Sequence, residues 1–290
     1  MKISSLTSQL SIFLSLKLFS KRLPLSYSLF NYFFDKLKNK ENLNKSIEDF
    51  ENNGFSKIDY CFSHEVDEIK NKLSSKIRLN EGRENYNISL EQKSQFADII
   101  IKKLNPFLLN LEKYLNSRPV LVDLNVWKNH FFKKDLIAND KDLIAESFHN
   151  DGYLCNYLKI HINFEDVDLN KGPMNIIKKG FNKKFRNDVN YLGRSAYNKD
   201  NLDNKNYLYK NIGKKGDALL FDPTAVFHRA TIPNKNFTRT MMEIILYIPR
   251  KKIENVNQIL NLNTKYKSLT KPHSLKQVFS YLRQYKALKL

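Results

Sequence analysis

The most regular pattern in the chain is the alternation of apolar and polar residues from position 153 to 164. The apolar residues share one face and the polar residues the other: Leu158, Ile160, Ile162 and Phe164 against Tyr157, Lys159, His161 and Asn163. Because successive side chains of a strand point to opposite sides, the alternation predicts a β-strand. Its polar face either lines a site inside a barrel or faces solvent.

Further strands are predicted on both sides of this one. The segment 120–132 is rich in β-forming residues and places Asn125, Trp127, Asn129 and Phe131 on one face. Shorter strands are predicted at 218–221, 226–231 and 238–248. Turns are predicted at 168–172 and 213–217.

The first third of the chain has helical periodicity instead. A short helix within 39–56 is expected to end at Gly54, and Ser63 is expected to cap a helix running to about Lys76. Ser89 and Gln92 have the spacing of a capping box, which predicts a helix to about Leu104. Pro106 is expected to open another helix that ends near Asn116.

Helices followed by short strands indicate an α+β fold with a helix-supported β-barrel or sandwich. We expect an apolar and basic helical segment over 1–44, the main domain over 45–250 and a basic helical tail over 251–290. The connection 182–211 is rich in Asn, Lys and Tyr and has little periodicity. So long a connection is either a functional lid or a disordered insertion.

The candidate chemistry lies at the start of the alternating strand. His149 and Asp151 are two positions apart, so an extended backbone points both to the same side. Together with a distant His on a neighbouring strand, they could form the two-His, one-carboxylate triad of Fe(II) oxygenases. His228 has a suitable position for that third ligand. A lone His-x-Asp is a weak signal, so its context matters.

Arg239 follows His228 by eleven positions. A hairpin through 233–236 would bring the two residues roughly opposite each other. A guanidinium there could clamp a carboxylate near the metal by two parallel hydrogen bonds.

Composition changes this picture only in part. The 290 residues carry a formal net charge of +19, which suits an anionic lipid, a phosphorylated or CoA-linked substrate, or nucleic acid. The alternative is a general Lys, Asn and Ile bias, because the basic residues are spread along the whole chain. Two Cys, without a CxxC pair, exclude a disulfide framework and fit a cytoplasmic protein.

Both ends of the chain carry an apolar stripe beside basic residues, at 3–19 and at 274–289. The first stripe is too short and too interrupted to span a bilayer. The two segments either bind the surface of an anionic membrane or dock on the domain.

The chain resembles the phytanoyl-CoA dioxygenase-like family of Fe(II)/2-oxoglutarate oxygenases over roughly 45–250. Four motifs carry the resemblance: His149-x-Asp151, Asp166-Val167-Asp168 with Lys171-Gly172-Pro173-Met174, Gly216 to Asp222, and His228-Arg229 with Arg239. The resemblance implies a double-stranded β-helix, or jelly roll. It also implies hydroxylation of an unactivated carbon, coupled to conversion of 2-oxoglutarate to succinate and CO2.

By this resemblance, His149, Asp151 and His228 hold Fe(II), and Arg239 binds the distal carboxylate of 2-oxoglutarate. His161 occupies a strand position that often contacts this cosubstrate. Asn129 is a weaker candidate on the upstream strand. The expected substrate is a small or lipid-linked molecule that the sequence does not identify, such as an acyl, lipid-linked or glycan compound.

Two departures from the family pattern bear on substrate and cosubstrate. Lys178 to Phe181 replaces a Pro-Gly-Ser-His segment that shapes the substrate entrance. Ala230 replaces a Ser that often hydrogen-bonds the cosubstrate, a role that Thr231 or Thr240 could take over.

Two other readings stay open. One is a cupin-like protein with another divalent metal and no 2-oxoglutarate. The other is an inactive jelly roll that binds an anionic surface or ligand. The set of His149, Asp151, His228 and Arg239 argues against both.

Overall fold

The computed structural model describes residues 38–58, 62–74, 76–80, 82–133, 147–151, 157–189, 202 and 205–248, together with Leu14. The C-terminal stripe, nearly all of the N-terminal stripe and the centre of the 182–211 connection lie outside these residues. The membrane-surface hypothesis and the three-part division of the chain therefore stay predictions. None of the described helices combines the length and the apolar character that crossing a bilayer requires.

The described helices are α1 (Lys45–Asn53), α2 (Ser63–Lys72), α3 (Leu90–Leu115) and α4 (Asn182–Asp188). The side chain of Asn44 caps α1. Gly54 ends the helix with a left-handed backbone, as the sequence predicted. The capping box at the start of α3 is also confirmed, because Ser89 and Gln92 each accept a hydrogen bond from the other's backbone N–H.

Two helix predictions were wrong. Ser63 is the first residue of α2 rather than its cap, and its hydroxyl instead donates to the carbonyl of Lys215. Pro106 lies inside α3 rather than opening a new helix. An internal proline costs a helix about 3 kcal/mol. The apolar side chains on both sides of Pro106, including Ile100, Leu104 and Leu108, are buried, and this burial outweighs the cost.

The strands form two antiparallel sheets in the described part of the chain. Strands β1 (Phe55–Ile58), β2 (Lys76–Asn80), β3 (Arg83–Tyr86), β4 (Val120–His130), β5 (Tyr157–Asn163), β8 (Ala218–Phe221) and β10 (Thr238–Tyr247) form a large sheet in the order β1-β8-β5-β10-β4-β3-β2. Strands β6 (Asn175–Ile177), β7 (Leu208–Lys210) and β9 (His228–Arg229) form a small sheet in the order β7-β6-β9.

From β4 onward the chain passes back and forth between the two sheets. After β4, His149 bridges to the small sheet, and β5 returns to the large one. Strands β6 and β7 then lie in the small sheet, β8 in the large sheet, β9 in the small sheet and β10 in the large sheet. This alternation is the jelly-roll core that the sequence predicted, with helices supporting it.

The expected hairpin between His228 and Arg239 was wrong. β9 belongs to the small sheet and β10 to the large one, so the segment between them crosses from sheet to sheet. His228 is in register with Ile176 and bridges to His149, whereas Arg239 is in register with Asn129. The two residues are therefore not paired in a β-ladder, and both line the cavity between the two sheets.

The outer face of the large sheet packs against the helices. The predicted apolar face of β5 is buried there: Leu158, Ile160, Ile162 and the following Phe164 join one core cluster with side chains of β10, α2 and α3. A smaller apolar cluster lies between the two sheets, where Phe221 of β8 meets Ile176 of β6. The site described below lies beside this second cluster.

The 182–211 connection has regular structure at both described ends, where the sequence analysis expected little. Helix α4 buries Phe185 against Phe148 and Phe227, and β7 pairs with β6. The hydroxyl of Tyr207 donates to Asp188 at 2.7 Å and joins the two ends.

Candidate metal centre

The site begins with a bridge between two distant histidines. The backbone N–H of His149 donates to the carbonyl of His228 at 3.0 Å, and the reverse hydrogen bond is 2.8 Å long. Residues directly opposite in an antiparallel pair project to the same face. The two imidazole rings accordingly lie side by side, with their centroids 4.5 Å apart.

Asp151 completes the group. Its backbone N–H donates to the carbonyl of Pro223 at 2.8 Å, which keeps the segment extended past His149. Its Oδ1 lies 3.5 Å from Nε2 of His149 and 3.6 Å from Nε2 of His228. One ligand atom from each of the three residues lies within 4.8 Å of the others. Metal–ligand bonds of about 2 Å span donor atoms up to about 4 Å apart. The two His–Asp distances already meet this limit, and the 4.8 Å spread of the whole group requires only a shift of about 1 Å for the three atoms to hold one ion.

Both imidazoles are oriented through their second nitrogen. Nδ1 of His149 lies 2.7 Å from the carbonyl of Ser147, and Nδ1 of His228 lies 3.4 Å from the carbonyl of Val226. Such contacts direct Nε2 of each ring towards the metal position. Burial lowers the pKa of His228 to about 4 despite the nearby Asp151 carboxylate, so its imidazole is neutral and can bind a metal at neutral pH.

A buried ionic chain extends from the triad along the inner face of the large sheet. Nζ of Lys159 lies 2.8 Å from Oδ2 of Asp151 and 2.9 Å from Oε2 of Glu243. The same Glu243 oxygen lies 3.2 Å from Nε2 of His161. Lys159 therefore holds one carboxylate oxygen of Asp151 while the other faces the two histidines.

The charges of this chain follow from its contacts. Burial alone would raise the pKa of Glu243, but Lys159 and the hydrogen bond from His161 outweigh it and lower the pKa to about 2. Burial likewise opposes charge on Asp151 and Lys159, yet their partners hold the Asp151 pKa far below its usual range and raise that of Lys159. Burial lowers the pKa of His161, which is therefore neutral. The result is one ammonium between two carboxylates.

Arg239 lies in the wall of the same cavity. Its side chain is only 2% exposed, and its guanidinium donates to the carbonyl of Gly172. Gly172 has a φ of +64°, and a Cβ there would overlap the backbone of Thr231 and Pro233. A glycine is thus required where the Gly-Pro segment packs against the crossover into β10.

The cavity between the sheets has a volume of about 210 Å³. Both sheets contribute side chains to its lining: Arg83, Trp127, His149, Asp151, Lys159, His161, Met174, Phe221, His228, Ala230, Arg239, Met241 and Glu243. The polar face of β5 is therefore a site lining rather than a solvent-exposed face at Lys159 and His161.

The two weaker sequence candidates have different environments. His161 lines the cavity, and its ring packs edge-on against Trp127 and Phe221. Asn129 is buried but is not among the lining residues. Its Oδ1 accepts a hydrogen bond of 3.2 Å from Nε of Arg83.

Neither threonine considered as a substitute for the missing Ser lines the cavity, although Ala230 does. The hydroxyl of Thr231 donates to the carbonyl of Pro173. Thr240 lies between Arg239 and Met241 on β10, so strand alternation points it to the other face.

Sequence reasoning missed three charged members of the cavity wall. Lys159 was placed on the polar face of β5 without a role, and Arg83 and Glu243 were not singled out. Glu243 did carry a signal, because a carboxylate within the apolar run from Met241 to Leu246 calls for a buried partner. Its partner, Lys159, lies 84 positions away and depends on the pairing of β5 with β10.

No protein-family model matches the chain, and no curated protein does. The chain is similar to the solved structure of HygX from Streptomyces hygroscopicus with nickel and 2-oxoglutarate bound (14% identity, TM-score 0.48, 74% of this chain and 94% of HygX). It is also similar to the 2-oxoglutarate-dependent epimerase SnoN from nogalamycin biosynthesis (12%, 0.45, 76% and 89%) and to the nickel complex of the non-haem monooxygenase ThoJ (11%, 0.47, 83% and 94%).

Proposed function

We propose that this protein is an Fe(II)- and 2-oxoglutarate-dependent oxygenase that hydroxylates an unactivated carbon of a small or lipid-linked substrate. The observation that carries the proposal is the convergence of His149, Asp151 and His228 on one point in a buried cavity that also contains Arg239. Two imidazoles and one carboxylate on one side of an ion leave positions open for cosubstrate and oxygen.

The donor set fits iron. His149 and His228 would bind it through Nε2, since backbone carbonyls lie next to their Nδ1 atoms. Asp151 would bind through Oδ1, because Lys159 holds Oδ2 and so restrains the carboxylate to one ligand atom. When bound, Fe(II) supplies the oxidative chemistry for which the open positions are needed.

The cavity also suits a dicarboxylate cosubstrate. Arg239 presents a buried guanidinium whose anchor on the Gly172 carbonyl keeps it oriented. A carboxylate that binds there gains charge-assisted hydrogen bonds in a site removed from water. His161 stays a predicted cosubstrate contact. Its neutral ring donates from Nε2 to Glu243, so Nδ1 can only accept a hydrogen bond. Asn129 also stays a predicted contact.

The phytanoyl-CoA dioxygenase-like resemblance supports the hydroxylase version of this proposal. Its Gly-Pro motif supplies the carbonyl that anchors Arg239, so two of its motifs have a joint physical role here. The carboxylate at Asp151 also fits hydroxylation rather than halogenation, in which a smaller residue leaves room for halide.

The proposal is tested by succinate release from 2-oxoglutarate with Fe(II), ascorbate and O2, measured for the wild type, Asp151→Ala and the exposed control Asp166→Ala. We expect slow uncoupled release from the wild type and the control, and none from Asp151→Ala. Equal succinate from all three proteins would reject the proposal. No 2-oxoglutarate-dependent succinate from the wild type would favour the inactive or other-metal jelly roll instead.

A further inference from the structure

Arg83 is a cation of the cavity wall that has no counter-ion among the residues the structure describes. Its guanidinium lies 5.0 Å from the ring centroid of Trp127, and its Nε donates to the neutral Asn129. These contacts fix the plane of the guanidinium without neutralising its charge. Its terminal nitrogens can therefore serve a ligand.

The charges around it indicate the sign of that ligand. Among the described residues of the cavity wall, Lys159 is held between the carboxylates Asp151 and Glu243, and the other cations are Arg239 and Arg83. If Fe(II) binds at the triad and 2-oxoglutarate binds in the same cavity, two positive charges of the metal and two negative charges of the cosubstrate are added. The net positive charge of these described lining residues is then unchanged, and Arg83 has no described carboxylate beside it.

Trp127 supplies an independent observation beside Arg83. Its side chain lines the cavity and is 9% exposed, and its indole Nε1 is buried without a hydrogen-bond partner among the described residues. A buried donor left without an acceptor costs about 1–3 kcal/mol. A ligand oxygen within hydrogen-bond distance of Nε1 would satisfy it.

The position of Arg83 separates it from the proposed cosubstrate site. In register, Arg83 of β3 lies opposite Asn129 of β4, which lies opposite Arg239 of β10. Two strand spacings place the Arg83 and Arg239 backbones about 10 Å apart. Arg83 is also on the side of Arg239 that is away from β5, which carries Lys159.

We propose that Arg83 and the Trp127 indole N–H form the substrate subsite and bind an anionic oxygen group, a carboxylate or a phosphate, of the compound that is oxidised. This inference rests on the proposed function, since it assigns the substrate class of the same cavity. The anionic group binds at the β3 side of the cavity, and the carbon to be oxidised extends towards the triad.

The test measures binding of phenylacetate, phenyl phosphate and the uncharged match phenylacetamide to protein loaded with Ni(II) and 2-oxoglutarate, by calorimetry or ligand-observed NMR. We expect the wild type to bind at least one anion about tenfold or more tightly than the amide, because hydrogen bonds to charged groups contribute that much. Arg83→Gln should remove this preference, and Arg83→Lys should keep part of it. The control Lys57→Gln, at an exposed position on β1, should leave it unchanged.

The inference would be overturned by equal binding of anions and amide by the wild type, by no binding of any probe in the millimolar range, or by an unchanged preference in Arg83→Gln. A tenfold loss of 2-oxoglutarate affinity in Arg83→Gln would also overturn it, because Arg83 would then belong to the cosubstrate site. A role limited to packing against Trp127 would lower the melting temperature without changing the anion preference.

The same experiment distinguishes a failure of the proposed function from a failure of the Arg83 subsite. If the wild type binds neither metal nor 2-oxoglutarate, the proposed function fails. The anion preference of the metal-free protein and its loss in Arg83→Gln would then still decide whether Arg83 binds an anion.

Discussion

The two faces of the large sheet have opposite characters, although the same strands supply both. On β5, Ile160 and Ile162 are fully buried against the helices, while the neighbouring residues Lys159 and His161 line the cavity on the opposite face. On β10, Ile244 is likewise buried on the helix side, and the preceding Glu243 lines the cavity. The helix side gains free energy from apolar burial, at about 25 cal/mol per Å².

On the cavity side, the burial of charged groups costs free energy of folding. Three buried ionic groups lie within a few ångströms there, and desolvation opposes the charge on each one. Buried ion pairs rarely contribute net stability, although losing one partner is costly. The helix-covered face can therefore stabilise the fold while the inner face is left free for charge. Four substitutions test this division.

Asp151→Ala should abolish metal binding while the protein stays folded. The variant removes the only carboxylate of the triad, and two imidazoles alone carry no negative charge to compensate a divalent ion. Ni(II) and Fe(II) binding, measured by calorimetry, should be lost relative to the wild type and the Asp166→Ala control. Retained affinity in Asp151→Ala would show that the ion binds elsewhere.

Lys159→Met should destabilise the metal-free protein by about 3–5 kcal/mol, because Asp151 and Glu243 would both lose their shared cation. The loss should be smaller with Ni(II) bound, since the ion then compensates Asp151. Urea unfolding with and without Ni(II) measures both values. A loss that metal does not reduce would mean that Lys159 stabilises the fold independently of the triad.

Ile160→Ala should cost about 2–5 kcal/mol through the cavity it leaves on the helix side. It should not change Ni(II) affinity under conditions where the protein remains folded, because its side chain faces away from the triad. The paired measurement of unfolding and metal binding is the sharpest check of the two-face comparison. A parallel loss of metal affinity would show that the two faces are coupled.

Arg239→Met should weaken 2-oxoglutarate about 10- to 100-fold with little effect on metal affinity, since the cosubstrate loses a charged hydrogen-bond partner. The matched control is Arg229→Met. Arg229 is also buried, but it packs over the Phe148 ring and does not line the cavity. Titration of 2-oxoglutarate into Ni(II)-loaded proteins decides the point, and equal affinities for Arg239→Met and wild type would reject the role of Arg239.

Local features were predictable from the sequence. The alternation on β5, the Ser89 capping box and the end of α1 at Gly54 depend on side-chain direction and hydrogen bonding within a few residues. The shared side of His149 and Asp151 has the same origin, because residues two apart on an extended chain point the same way.

The failed predictions all involve contacts that are distant in sequence. Pro106 stays inside α3 because the sheet buries the helix on both sides of it. The hydroxyl of Ser63 donates to the carbonyl of Lys215, which is 152 positions away in the chain. His228 and Arg239 lie in different sheets, and the crossover between them packs against Gly172, which is 56 positions before His228.

Local sequence therefore established which residues could serve as ligands, which face of β5 is apolar, and where α1 ends and α3 begins. Those properties follow from the covalent geometry of neighbouring residues. Only the folded structure shows that His149 bridges to His228, that Lys159 lies between Asp151 and Glu243, and that Arg83 has no counter-ion among the described residues. These depend on sheet register and on the desolvation of groups far apart in the chain, and both are settled only when the two sheets pack together.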